Sequence, residues 1–152
     1  LGVGVLNSRH KATGEVSAEA VAAMTTLNRD AGRAAVAAGL RAGTDVTGFG
    51  LLGHLHKMAR ASGVTAVVDA AAVPYLAGAR EALAAGFVSG GTRRNLDWVR
   101  PHADLSATGE DEALLLADAQ TSGGLLLAGE VPGAPVVGEF VPRQGNLTVV
   151  VR

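Results

Sequence analysis

The chain has 152 residues, 48% hydrophobic and 18% charged, with a formal net charge of −1. Its thirteen Lys and Arg are scattered, and no apolar run approaches the roughly 18 residues of a membrane helix, which argues against a nucleic-acid groove, an anionic-membrane surface and a membrane span. Cysteine is absent, which removes disulfides, thiolate zinc sites and a cysteine nucleophile, and the composition suits a soluble, cytoplasmic domain.

A chain of this size buries roughly 68–70% of its unfolded surface, enough for one core. Aromatics make up only 3% and alanine dominates, so packing must rely on close backbone approach. The opening "LGVGVL" places Val3, Val5 and Leu6 as a strand already in progress, without an initiating Met, and reads as a piece cut from a longer protein. From Ser17, a candidate N-cap, to Gly39 the chain reads as one helix of about 22 residues and roughly 33 Å. Its stripe of Val21, Met24, Leu27, Ala31 and Ala35 is expected to lie on a sheet. The loop Arg41 to Thr47 leads to a second helix near Gly50 to Ser62, stopped by Gly63, and "VTAVVD" follows as a strand. Pro74 opens a third helix closed by Gly86, and "VSGGTRRN" reads as a glycine turn with two arginines. "GEDEALLLADA" is a short helix with acids at its N-terminus, after which "QTSGG" turns into the strand "LLLA". Two last strands, "PVVGEFV" and "LTVVV", flank the loop "PRQGN". The order β, α, α, β, α, α, β, β, β predicts an α+β, layered α/β fold: a mixed sheet with helices packed on at least one face.

Three glycines in "TDVTGFGLLGHL", Gly48, Gly50 and Gly53, have the G-x-G-x-x-G spacing of a dinucleotide site, and Asp69 stands at the end of the next strand. That fingerprint also needs a buried strand before the first glycine, and "GLRAGTDVT" offers a single valine next to the turn. Asp45 opposes bare phosphate as well, since two unit charges about 4 Å apart repel by around 4 kcal/mol at an effective dielectric near 20. A divalent cation reverses that sign, because Mg²⁺ takes one or two carboxylates together with phosphate oxygens. From the residues alone, dinucleotide binding, metal-bridged phosphate binding and a structural turn all remain open. His54 and His56 lie about 200° apart on a helix and cannot share one metal, so they read as helix surface or core. Trp98 reads as a buried anchor and Asp69 as a strand end.

The segments "TDVTGFGLLGHL", "GGTRRN" and "DAQTSGGLLLA" together closely resemble the selenophosphate synthetase (selenide, water dikinase) family, within the aminoimidazole ribonucleotide synthetase-like superfamily. The resemblance covers essentially the whole chain. It implies that residues 1–152 form one domain, the C-terminal domain of a two-domain ATP-dependent enzyme whose N-terminal ATP-binding domain is its main partner. The activity implied is conversion of ATP, selenide and water into selenophosphate, AMP and phosphate, in a full-length homodimer. Asp45 is then the domain's Mg²⁺ ligand against the ATP phosphates, and no residue of this domain is itself catalytic. Thr44, Thr47 and Gly48, with Gln120, Thr121, Ser122 and Gly123 of a glycine nest, are phosphate or substrate contact candidates, each also readable as a plain turn. Arg93, Arg94 and Asn95 suit phosphate, the partner domain or a solvated turn.

Two departures accompany the resemblance. Ala119 stands where the family has proline, and only "EVPGAP" intervenes before "VVGEFV", where the family carries a further helix, so part of one sheet face is expected to lie uncovered. The alternatives are another ATP-dependent enzyme of the superfamily, acting on aminoimidazole precursors or a thiamine phosphate, a nicotinamide-binding domain, and a noncatalytic docking module.

Overall fold

Residues 2–6 of the opening "LGVGVL" do not form a strand. In the computed structural model, which describes residues 2–8 and 11–152, Gly2–Ser8 is a helix, α1. Tertiary contacts override the local β pattern: Gly2 N–H donates to the Asp118 carboxylate at 3.1 Å, Val3 is buried, and the helix packs on the elements around it.

The long helix expected from Ser17 to Gly39 is two. α2 spans Gly14–Thr25 and starts one turn early, with Thr13 Oγ1 accepting from Val16 N–H at 3.3 Å. It ends where Thr25 and Thr26 turn their hydroxyls back onto the Val21 and Ala22 carbonyls, competing with the helical ladder. α3 follows over Arg29–Ala37. The apolar stripe does not lie on a sheet: Val21, Met24 and Leu27 are exposed, and Ala35 is the residue of α3 that is buried.

After the short strand β1, Gly43–Asp45, come α4, Gly50–Ser62, and β2, Val64–Val68, close to the positions expected. Gly63, at φ +68°, stops α4 in the left-handed conformation that glycine adopts without strain. Asp69 closes β2 and its carboxylate accepts from Ala71 N–H at 3.0 Å, capping a 3-10 turn over Ala70–Ala72. Pro74 does not open a helix; α5 runs over Ala79–Ala84, after Gly78. The expected glycine turn at "SGGTRRN" is the first turn of α6, Gly90–Val99, capped by Ser89 Oγ accepting from Thr92 N–H at 3.1 Å. A second 3-10 turn, Arg100–His102, leads to β3, Ala103–Asp104; α7 spans Glu110–Leu116, β4 Leu125–Leu127, β5 Gly138–Pro142 and β6 Val149–Val151.

The strands form two sheets. One is mixed, in the order β3-β6-β2-β5, with β6 parallel to both neighbours and β5 antiparallel to β2; the other pairs β1 with β4 antiparallel. The fold is α+β, as predicted. Leu52, Leu55 and Met58 of α4 meet Val68, Val149 and Val151 of the sheet, and Leu96, Val99 and Leu116 of α6 and α7. Leu52 and Leu96 are almost fully buried, and truncating either to Ala would cost about 2–5 kcal/mol.

A cavity of about 730 Å³ opens against β2 and β5, with Ala66, Val68, Phe140, Leu83, Val131 and Val136 in its wall. Residues of the short 129–137 segment, among them Val131 and Val136, border it, while Ala66 and Val68 of β2 in its wall are themselves almost fully buried.

The glycine motif packs the N-terminus of α4. Gly50 has φ +67°, and a Cβ there would lie 2.5 Å from the Ala117 carbonyl at the end of α7. A Cβ on Gly53 would lie 2.7 Å from Phe49 Cβ and 3.3 Å from the Trp98 ring, whereas one on Gly48 would meet nothing within 4 Å. Below them His56 is buried and stacks on His102 with ring centroids 4.7 Å apart. Thr148 gives its one hydroxyl proton to the His102 carbonyl at 3.0 Å, so its oxygen accepts from His56 Nδ1 at 2.6 Å. Burial, and then the neighbouring His102, push the His56 pKa down to about 4.

Gly50→Ala should destabilise the domain by about 2–4 kcal/mol, combining a left-handed backbone with a clash against main chain, while Gly48→Ala should change stability by less than about 0.5 kcal/mol. Denaturant unfolding of the two variants checks this, and equal costs would contradict the packing account. Because folded His56 binds its proton more weakly than the unfolded chain does, its stabilising contribution is present above the ordinary histidine pKa. It is lost as pH falls toward about 4. Unfolding free energies between about pH 7 and pH 5, above the carboxylate range, should fall with acid by up to about 1.4 kcal/mol per unit more in the native protein than in His56→Gln; parallel curves would contradict it.

Candidate functional site

Two distant segments meet at the β1–β4 pair. Gly43, Thr44 and Asp45 lie opposite Leu127, Leu126 and Leu125, and beyond the last pair Val46 N–H donates to the Gly124 carbonyl at 3.0 Å. Past that bond the chains stay joined, since Gln120 N–H donates to the Thr47 carbonyl at 3.0 Å. Gly123 is held close by sterics, because a Cβ there would land on the Val46 carbonyl oxygen. Asn28, at the break between α2 and α3, donates from Nδ2 to the Gly123 carbonyl at 2.9 Å. The sequence-predicted residues 44–48 and 120–123 therefore form one platform.

At its lip Asp45 is exposed, and among the described residues its carboxylate has no hydrogen bond and no ion pair. The loop behind it is fixed. Thr47 N–H donates to His54 Nε2 at 3.1 Å, which makes Nε2 an acceptor and leaves the ring proton on Nδ1. Burial lowers the His54 pKa, with Lys57 adding to that and the Asp45 charge opposing it. Asn95, on α6, donates from Nδ2 to the carbonyls of Gly48 at 2.9 Å and Ala117 at 3.1 Å, tying the loop to the end of α7. His54 and Asn95 thus support the site in ways sequence reasoning missed. For His54 the signal was its position one turn into the helix after the loop, and for Asn95 it was adjacency to Arg93 and Arg94, which are exposed on α6.

The other candidates divide. Thr44 Oγ1 donates to the Asp45 carbonyl at 3.1 Å, and Thr47 and Gln120 spend their main-chain groups on the loop itself. Thr121 and Ser122 are exposed, and among the described residues the amides of Thr121, Ser122 and Gly123 donate to nothing. An exposed carboxylate beside free amides and hydroxyls is donor chemistry for a cation-bridged phosphate. Among the described residues no group of three His, Cys, Asp or Glu gathers to hold a metal, so Asp45 offers a single ligand. The large cavity reaches Gln120, Ser122 and Gly123 from behind but is not lined by Asp45, Thr47 or Gly48, and belongs to the sheet.

The nicotinamide reading does not survive. The strand before Gly48 is three residues long and paired on one side, and Gly50 and Gly53 are occupied by packing against Ala117, Phe49 and Trp98. Trp98 is 41% exposed and is not a buried anchor. His54 and His56 both lie in the core, as expected, and no helix among the described residues is long and apolar enough to cross a membrane.

The chain resembles known proteins over nearly its whole length. The chain is 44% identical over 150 residues to the selenide, water dikinase of Bordetella bronchiseptica, covering 97% of this chain and 42% of the relative. It is 48% identical over 162 residues to that of Pseudomonas aeruginosa (95% and 46%) and 40% identical over 168 residues to that of Pseudomonas putida (99% and 48%). The chain spans somewhat under half the length of these relatives. Residues 1–149 match the profile of the AIR synthase related protein family, C-terminal domain, and the chain belongs to that family.

Proposed function

We propose that this chain is the C-terminal domain of a selenide, water dikinase, working with an N-terminal ATP-binding domain in the cytoplasm as part of a homodimer. The whole protein would convert ATP, selenide and water into selenophosphate, AMP and phosphate. The relatives' shared name and the match over nearly the full chain support the activity, and their greater length supports a second domain. The observation that carries the site reading is the exposed Asp45 carboxylate, left without a hydrogen bond or ion pair among the described residues at the lip of a doubly anchored loop.

Mg²⁺ fits this donor set, since it binds through one or two carboxylates and fills its sphere with water and phosphate oxygens. When bound, the ion neutralises phosphate charge during transfer. The protein's own residues do the positioning. Asp45 presents one hard oxygen ligand, His54 and Asn95 hold its loop still, and Gly48 leaves main chain open to an approaching group. Thr121, Ser122 and Gly123 offer amides and hydroxyls to a phosphate or selenium substrate, while Thr44, Thr47 and Gln120 shape the platform. No residue of this domain acts as nucleophile or general acid in this reading, so the isolated domain does not turn over ATP.

Replacing Asp45 by Ala or Asn in the full-length protein should lower selenide-dependent ATP consumption by about a hundredfold or more, the several kcal/mol that metal charge stabilisation supplies, with the melting transition unchanged. Turnover near the native rate in either variant would overturn the site assignment. Consumption of ATP with an aminoimidazole precursor or thiamine phosphate, and not with selenide, would overturn the activity.

A further inference from the structure

Phe49 and Trp98 are 43% and 41% exposed, in a chain with only five Phe and Trp-class or tyrosine aromatics: three Phe, one Trp and one Tyr. They stand together, with ring centroids 5.3 Å apart and planes tilted by 39°. Large apolar rings at a surface cost hydration unless something covers them, and clustered exposed aromatics mark interaction sites.

This pair is built into the surface. Gly53 lies beneath it, where a Cβ would stand 2.7 Å from Phe49 Cβ and 3.3 Å from the Trp98 ring. His56 meets Trp98 edge-on at 5.1 Å, and His54 meets Phe49 at 5.7 Å. Lys57 Nζ stands 4.8 Å from the Phe49 ring centre. Trp98 and Lys57 both stand against the Phe49 ring, so the ring is already engaged within the chain, and the remaining exposed aromatic surface suits a protein partner.

The position of the pair says what that surface is. Phe49 follows Gly48 directly and caps α4, so it continues the Asp45 platform, and a body that brings phosphates to Asp45 comes to rest beside it. We propose that Phe49 and Trp98 anchor the docking face for the ATP-binding domain of the same polypeptide, through an apolar patch on that domain with an acidic rim that meets Lys57. This rests on the two-domain reading above, and on relatives more than twice as long as the segment they share with this chain. The aromatic anchors set the distance at which the partner domain stands, and thereby the reach of Asp45 toward its nucleotide.

The test uses the intact two-domain protein labelled with 5-fluorotryptophan, in which the Trp98 fluorine resonance is the one missing from Trp98→Phe. Broadening of that resonance by a soluble nitroxide should be at least about fivefold weaker than for free 5-fluorotryptophan, as for a ring at the centre of an interface, at every protein concentration. Phe49→Asp should restore strong broadening at Trp98 while the core resonances stay unchanged. Asp45→Ala should leave the protection intact, so a failed metal assignment and a failed docking face give different results. Broadening of Trp98 like that of the free amino acid would overturn the proposal, and protection lost on dilution would overturn it in favour of a second copy of the chain.

Discussion

The antiparallel pairing of β1 with β4 is the constraint on which the site depends. Neither strand is more than three residues long, and the pair stands apart from the four-stranded sheet. Its register, continued by Val46 N–H to Gly124 and Gln120 N–H to Thr47, brings together two segments far apart in sequence. Each such bond is worth only about 0.5–1.5 kcal/mol net, so the joint needs reinforcement. It comes from three directions: His54 on α4, Asn95 on α6, and Asn28 at the α2–α3 break. The result is a loop fixed along its main chain that leaves one carboxylate pointing to solvent. An acid in that position repels phosphate until a cation stands between them, which is the physical basis of the metal-bridged role proposed for Asp45.

An alanine-rich chain achieves this with little aromatic mass. α4 approaches α7 closely because Gly50 carries no side chain, and the Phe49–Trp98 pair lies on Gly53 for the same reason. The G-x-G-x-x-G spacing thus arises from close packing at a helix N-terminus, where two elements meet at main-chain distance, and only Gly48 remains open. Elsewhere the packing is thinner. The cavity against β2 and β5 is bordered by the short 129–137 segment, and the nearby Met24 and Val136 are exposed.

Much of the fold was legible in the sequence. α4, β2, α7 and the last three strands follow from periodicity, β-branched runs and the stop at Gly63, because in those segments local preference and burial agree. The misreadings share a cause: tertiary or side-chain bonds outvoted local pattern. α1 has strand-like alternation but is held by Asp118, the long helix is cut by threonine hydroxyls, and "SGG" conceals an N-cap because Ser89 precedes it with Thr92 at the bonding distance. Of the candidate site, the meeting of the two loop segments around Asp45 was anticipated through their resemblance to a family, whereas periodicity had left a plain turn open. His54 and Asn95 were not, since a buried histidine and a helix-surface asparagine reveal their roles only when the loop's main chain is seen against them.

The most direct measurement is whether a cation stands at Asp45 in the full-length protein. Crystals grown with Mn²⁺ and a nonhydrolysable ATP analogue, recorded at the manganese absorption edge, locate the ion by its anomalous signal. The account predicts an anomalous peak at about 2.1 Å from an Asp45 carboxylate oxygen, shared with phosphate oxygens of the nucleotide. A fully occupied ion on the nucleotide with the Asp45 carboxylate turned away from it, beyond coordinating distance, would contradict the account.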